Sequence, residues 1–285
     1  MSVRRSNSSR LPKVNLHDIL LDGSITLWRN PAGQVFKDCD VWALTADWDK
    51  PSDIDDAYAK VLADEQALAR EHAFAWDSDF GYLSPDPLHC GTALCFEAEF
   101  HLEGLHLVGD LPPTLNAIDA VRFQYAGIVE DGVTQAAHLF HVHNYATLGV
   151  SESDLKERAR RLFSDLIEQE YSARKALVDE TPRILADSVS RALAVLRSAR
   201  LLAPGELLDL LSPVRLALTF GFLDGITRAE VTKLMQQQID TPEIPPPENT
   251  EEERRIDARD AHLADRMNKR FANVQFTPLA YSHLL

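Results

Sequence analysis

The stretch Gly81–Phe96, GYLSPDPLHCGTALCF, gathers Asp86, His89, Cys90 and Cys95 into one proline-interrupted segment. These residue types serve acid–base, nucleophilic and metal chemistry, and their spacing decides which of these is open to them. Cys90 and Cys95 form CxxxxC, which fits neither a zinc knuckle nor a thioredoxin-like pair. They are expected to stay reduced and partly buried, as free cysteines often are. His89 and Cys90 are adjacent, and neighbouring side chains on an extended loop point apart, so they make no nucleophile–base pair. A second cluster, AHLFHVH, carries His138, His141 and His143. On a strand His141 and His143 share a face while His138 points the other way, so the strand supplies no three-histidine metal site. No metal is expected.

The elements around these residues follow from periodicity. SITLW (24–28) and DVWALTA (40–46) have the β-branched and aromatic content of strands. From Asp53, read as an N-cap, to Trp76 the pattern becomes helical. FEAEFHL (96–102) alternates apolar and polar residues as a half-buried strand does, and VRFQYAG and AAHLFHVH read as two further strands. After Ser151 the chain turns helical, with Leu155, Ala159, Leu162, Phe163 and Leu166 on one face. Thr181-Pro182 reads as an N-cap followed by a proline in the first turn. Helices are expected at 182–202, 204–221, 227–238 and about 251–271, with TPEIPPPENT (241–250) a stiff linker. The stripe Leu207, Leu208, Leu211, Val214 and Leu218 reads as core or dimer seam.

Strands mixed with helices, then helices alone, imply an α+β domain followed by an all-α domain. The expected divisions are an irregular 1–22, a domain at 23–180, a helical domain at 181–271 and a tail at 272–285. The formal net charge of −15 argues against nucleic acid, whose binding needs Lys and Arg to displace counterions. No apolar run reaches the roughly 18 residues of a membrane span. The basic start MSVRRSNSSR lacks the apolar core of a secretory signal. A cytoplasmic protein without structural disulfides is the expectation.

The order of segments resembles a known family. FGYLSPDPLHCGTALCFEAEFHLEGL is similar to the loop and strand of ATP:guanido phosphotransferases (phosphagen kinases), whose usual form is GYLTSCPTNxGTGLR. HNYATLGVSESDL resembles their SNxxxLGxSExxx turn. The segment from ALVDETPRIL to LTFGFLDGI resembles the bacterial protein-arginine kinase branch, including its helical C-terminal domain. The resemblance covers about Asp53 to Met267. It implies an antiparallel sheet flanked by helices, followed by a helical domain used in dimerisation and substrate docking.

The activity implied is transfer of the γ-phosphoryl group of Mg-ATP to a guanidinium nitrogen, for which several arginines surround the triphosphate. Residue by residue, the correspondence breaks down at that site. The family's cysteine position is Asp86, the arginine ending GTGLR is Cys95, and the second glycine of GTG is Ala93. The arginine expected after the VRFQ strand falls on Ala126, and the one in the NEEDHxR segment falls near Trp42. The first glutamate of the chain is Glu65, within the helix after Asp53, so the family's earlier catalytic glutamate has no counterpart among Asp18, Asp22, Asp38, Asp40, Asp47 and Asp49. The usual first arginine-rich segment is also missing, SSRL at 8–11 being its faint echo.

The resemblance therefore implies an inactive relative, or pseudokinase, that needs no cofactor and works by binding. Asp131, at a position where arginine-specific members carry a guanidinium-binding glutamate, lies beside Glu130. With Asp86 it would make the pocket favour a guanidinium over a nucleotide. In the helical domain, Arg255 and Arg259 match the arginines of the RDxxRA motif that docks phosphoarginine in the family, while its Asp and Ala are replaced. A register starting at Arg259-Asp260 would instead put Leu263 at the second arginine. The expected partners are protein clients bearing arginine or phosphoarginine, a second copy, or an active paralogue. Two other readings stay open. One is a working guanidino kinase using Mg-ATP, rebuilt around Asp86, Asp131 and basic residues such as Arg29 or Arg122. The other is a dimerising scaffold.

Overall fold

Apolar–polar alternation along the strands builds a sheet with one face buried and one left open. The computed structural model describes residues 14–32, 42–86, 89–127, 136–145, 147–239 and 250–284. β1 (Leu20–Arg29) and β2 (Trp42–Asp47) are followed by a short hairpin, β3 (Trp76–Asp77) and β4 (Gly81–Tyr82). Next come β5 (Leu94–His101), β6 (Phe123–Gly127) and β7 (Leu139–Asn144). The main sheet is antiparallel in the order β2-β1-β5-β7-β6. Ile25, Leu27, Leu94, Phe96, Phe100, Phe140 and Val142 are buried on its inner face. They pack with α1 (Ile54–Leu68), α3 (Leu111–Ala120) and α4 (Glu152–Asp179), while α2 (Glu103–Val108) follows β5 directly. Phe163 of α4 lies 5.3 Å from the Trp48 ring and 5.8 Å from those of Phe100 and Phe123.

A second core is built by α5 (Pro182–Ser198), α6 (Pro204–Thr219), α7 (Arg228–Ile239) and α8 (Thr250–Phe271). The α+β domain with an antiparallel sheet and the all-α domain after it are both present. Leu207, Leu208, Leu211 and Val214 are fully buried within this core, and Leu218 is partly buried against it. That stripe is core.

Several local expectations are corrected. The helix expected to reach Trp76 ends at Leu68, and the turns after it lead into β3. No element was expected at 103–120, where α2 and α3 form. Pro112 and Pro113 sit in the first turn of α3, where a missing N–H breaks no helical bond. Ser151 caps α4, its hydroxyl accepting from the Asp154 amide at 3.1 Å, but Thr181 makes no side-chain cap to α5. The N-terminal 22 residues are not irregular throughout, because β1 starts at Leu20 and Asp18 is buried. Residues 272–285, expected as a tail, contain β9 (Gln275–Phe276), paired with β8 (Leu223–Asp224), and α9 (Pro278–His283), with Ala280 and Leu284 buried. Residues 241–249 of the expected linker lie outside the described residues.

The two cores meet through a buried polar network at the end of β5. His101 faces Ser212 of α6, its Nε2 2.7 Å from the hydroxyl, and Arg215 Nη1 lies 2.8 Å from its Nδ1. Arg215 also donates to the Asp18 carbonyl at 2.8 Å. Arg174 of α4 donates to the His101 carbonyl at 2.9 Å and pairs with Glu170 at 2.6 Å, both side chains being fully buried. Ser212 donates to Glu103 at 2.6 Å, and Glu103 lies 2.7 Å from His138. The helical domain therefore closes one end of the open sheet face.

Candidate functional site

The open face is read directly from register, because residues opposite one another in an antiparallel pair share a face. Cys95 pairs with Thr26, Glu97 with Ser24 and His143, and Glu99 with Asp22 and His141. Gln124 and Ala126 of β6 lie opposite His143 and His141. On β2, Ala43, Thr45 and Asp47 pair with Trp28, Thr26 and Ser24, and all three are exposed. Asp22, Ser24, Glu97, Glu99 and His141 line a shallow cavity of about 170 Å³ here.

Hydrogen bonds fix the charge pattern of this face. The Ser24 hydroxyl donates to Glu97 at 2.6 Å, and His141 Nε2 lies 3.1 Å from the other Glu97 oxygen. The contact with His141 holds the Glu97 carboxyl below its usual range and raises the His141 imidazole. Burial, helped by Asp22 and Glu97, pushes the Glu99 carboxyl up. His143 stacks on His141 with ring centroids 4.9 Å apart, lies 2.6 Å from the Gln124 amide, and is kept toward neutrality by burial. Burial, with Glu97 adding, drives the Cys95 thiol up to about 12, so it stays protonated and is no nucleophile at neutral pH.

The sequence-derived site residues are only partly brought together. Cys95 and Ala126 share the open face. Trp42 does not: it pairs with Arg29 on the helix side and packs against His72 and Phe74. A one-residue step along a strand reverses its face, so Ala43, Thr45 and Asp47 are the residues that look onto the pocket. None of them is cationic. Arg29, considered as a replacement phosphate ligand, is 1% exposed. Its Nε donates to Glu65 at 2.5 Å and its guanidinium lies 3.4 Å from the Tyr82 ring centroid. It is the one Lys or Arg in the five main strands, and it points away from the open face. Arg122 sits exposed at the turn before β6 with φ of +65°.

Asp86 is half exposed on its loop, with its carboxylate 3.8 Å from His89 Nδ1, and the His89 ring stacks on Trp28 at 4.5 Å. Cys90 and Cys95 are free thiols. Asp131 and Glu130 lie outside the described residues. No group of three metal-ligating side chains occurs among the described residues, and His138 turns toward Glu103 and stacks on His106. Sequence reasoning missed Glu97 and Glu99, although the alternation FEAEFH that marked the strand also places both beside Cys95.

Gly91 and Ala93 shape the loop that enters β5. Gly91 has φ of +79°, and a Cβ there would meet the Thr147 carbonyl at 2.5 Å. Ala93 has a left-handed φ of +51°. Gly91→Ala is expected to lower stability by about 2 kcal/mol in urea unfolding, through backbone strain and the clash with Thr147. A loss below a few tenths would mean that the loop relaxes freely.

In the helical domain, Arg255 is exposed and pairs with Glu251 of its own helix. Arg259 instead reaches a cavity of about 470 Å³ lined by Gln237, Gln238, His262 and Arg266 as well. Its guanidinium pairs with Asp260 at 2.7 Å. Leu263, the second-arginine position of the alternative register, is buried. The cationic side chains at this cavity are thus Arg259 and Arg266, with His262 between them, and Arg255 is not among them.

Residues 48–173 match the family model "ATP:guanido phosphotransferase, C-terminal catalytic domain", and residues 182–277 match "Protein-arginine kinase McsB C-terminal domain". Among curated proteins, a protein-arginine kinase of Bacillus cereus (strain G9842) is 32% identical over 168 residues, 59% of this chain and 48% of that protein. One of Bacillus anthracis (strain CDC 684 / NRRL 3495) is 31% identical over the same shares. The chain thus spans about half the length of these relatives. Among solved structures, a lombricine kinase is 22% identical with a TM-score of 0.32, over 42% of this chain and 31% of that one. The substrate-free duplicated taurocyamine kinase of Schistosoma mansoni is 15% identical with a TM-score of 0.40, over 54% and 23%. No helix among the described residues is long and apolar enough to cross a membrane.

Proposed function

Because this chain belongs to the ATP:guanido phosphotransferase family and continues into the C-terminal domain of protein-arginine kinases, we propose that it is a pseudokinase of that family that binds proteins through arginine or phosphoarginine. One observation carries this reading: the open sheet face presents Asp22, Asp47, Glu97 and Glu99, and its strands direct no Lys or Arg toward it.

The residues of this face do not fit a nucleoside triphosphate. Phosphoryl transfer depends on cations neutralising charge around the moving group. Here the phosphates would lie among Asp22, Asp47, Glu97 and Glu99, and two like charges 4 Å apart near a protein surface repel by roughly 4 kcal/mol. A guanidinium would find the opposite: planar acceptors of matching charge at Glu97 and Glu99. The rebuilt-kinase reading loses Arg29, which Glu65 and Tyr82 already hold. On the helical domain, the cavity with Arg259, His262 and Arg266 has the charge to take the phosphoryl group of a phosphoarginine.

Calorimetry tests the proposal on the full chain. Mg-ATP is expected to give no saturable heat, with Kd weaker than about 1 mM. An arginine peptide should bind in a way that Glu97→Gln/Glu99→Gln abolishes. Micromolar uptake of Mg-ATP, or transfer of its labelled phosphoryl group to an arginine substrate, would overturn the reading.

A further inference from the structure

A groove of about 900 Å³ lies between α3 and the second half of α4, away from both sites described above. α2 packs on α4, α3 packs on α2 and β6, and Thr114 of α3 donates to Gln169 of α4 at 3.0 Å, so the groove runs along the seam between α3 and α4 over α2. Leu105 and Val108 of α2 form the floor. Ala117 on one wall and Ser172, Ala173 and Ala176 on the other keep the walls low. Ile184, 43% exposed, closes one end beyond the α4–α5 turn. The charged side chains lining it are Asp110, Glu168 and Glu180, all carboxylates.

Small residues on facing helices let a third helix approach to the usual 8–10 Å. An apolar floor between low walls is the shape that receives an amphipathic helix. The anionic rim selects the flanks of that helix. A second copy of this chain, at net charge −15, would meet the rim with further negative charge on average. We propose that this groove docks an amphipathic helix of another protein, with an apolar stripe flanked by Lys or Arg. The proposal does not rest on the pseudokinase reading.

The test uses the full chain and a labelled Leu/Lys amphipathic helix of about 15 residues, followed by fluorescence anisotropy. A shuffled peptide of the same composition, lacking the apolar stripe, is the control. The amphipathic probe is expected to bind at least about tenfold more tightly than the shuffled one. Glu168→Lys/Glu180→Lys and, separately, Ala117→Asp should each remove about that factor while circular dichroism stays unchanged. Asp165→Lys, an exposed site on α4 outside the groove, should leave it intact. Equal binding of the two peptides, or wild-type binding by the groove variants, would overturn the proposal as generic charge attraction. A concentration-dependent dimer lost in the same variants would also overturn it, by assigning the groove to self-association. So would a gain in probe affinity on changing Arg4, Arg5, Arg10 and Lys13 to Ser, by assigning it to the chain's own basic segment.

Discussion

Arg174→Met is expected to unfold in urea with about 3–5 kcal/mol less stability than the wild type, because it strands a buried carboxylate. Glu170 accepts from the amides of Gly104 and Leu105 at 2.8 Å each, and its remaining charge is met by Arg174. Burial pushes its carboxyl up, and removing the guanidinium takes away the main force opposing that rise. The paired variant Glu170→Gln/Arg174→Met should recover much of the loss, since a neutral amide leaves no unpaired charge and its oxygen still accepts from the α2 amides. If Arg174→Met cost less than about 1 kcal/mol, water would have to reach Glu170, and the junction would not be sealed as described.

The second large effect is a pH dependence centred on His101. This imidazole is fully buried, and burial followed by the nearby Arg215 and Arg174 guanidiniums holds its pKa well below the usual value. Arg215 donates to Nδ1, so Nε2 carries the proton and donates to Ser212, which passes its own hydrogen to Glu103. The charged and titratable groups around the ring are Arg174 from α4, Arg215 from α6, Glu103 from α2 and His138 before β7. The folded chain keeps His101 neutral, whereas the unfolded chain protonates it below about pH 6.5. The unfolded state then binds the extra proton, so stability falls as pH drops through 6.5 and below, by up to about 1.4 kcal/mol per unit. From pH 6.5 to 4.5 the loss is at most about 2.3 kcal/mol. His141 does not mask the trend: its raised pKa places its stabilising protonation above 6.5, so its contribution is complete below that value. Chemical unfolding at pH 7.5, 6.5, 5.5 and 4.5 checks this, with His101→Gln as the reference. A wild-type slope no steeper than that of the variant would show that the ring titrates freely.

The sequence marked the elements whose burial repeats regularly. β5 alternated, α4 showed an apolar stripe behind a Ser151 cap, and α6 was a run of leucines. Each of these follows from local pattern alone. The failures came where position is decided by something distant. Trp42 was assigned to the pocket, yet its face is set by pairing with Arg29 across a register that one residue would reverse. α3 begins at Leu111 and carries Pro112 and Pro113, which look like a break until they are placed in a first turn. Glu97 and Glu99 were visible as the polar half of a strand, but only the sheet order brought them beside His141 and Asp22. Arg266 joined Arg259 because α7 and α8 frame one cavity, a tertiary fact that motif spacing does not contain.

The neighbourhood of Glu97 also limits what a single cation placed on this strand could do. A Cys95→Arg exchange alone would set a guanidinium two residues from that carboxylate on the same side of β5, where the two charges would pair with each other. A cation that is to stay free on this face therefore needs the neighbouring carboxylate exchanged as well, a coupling that pairing across β5 imposes.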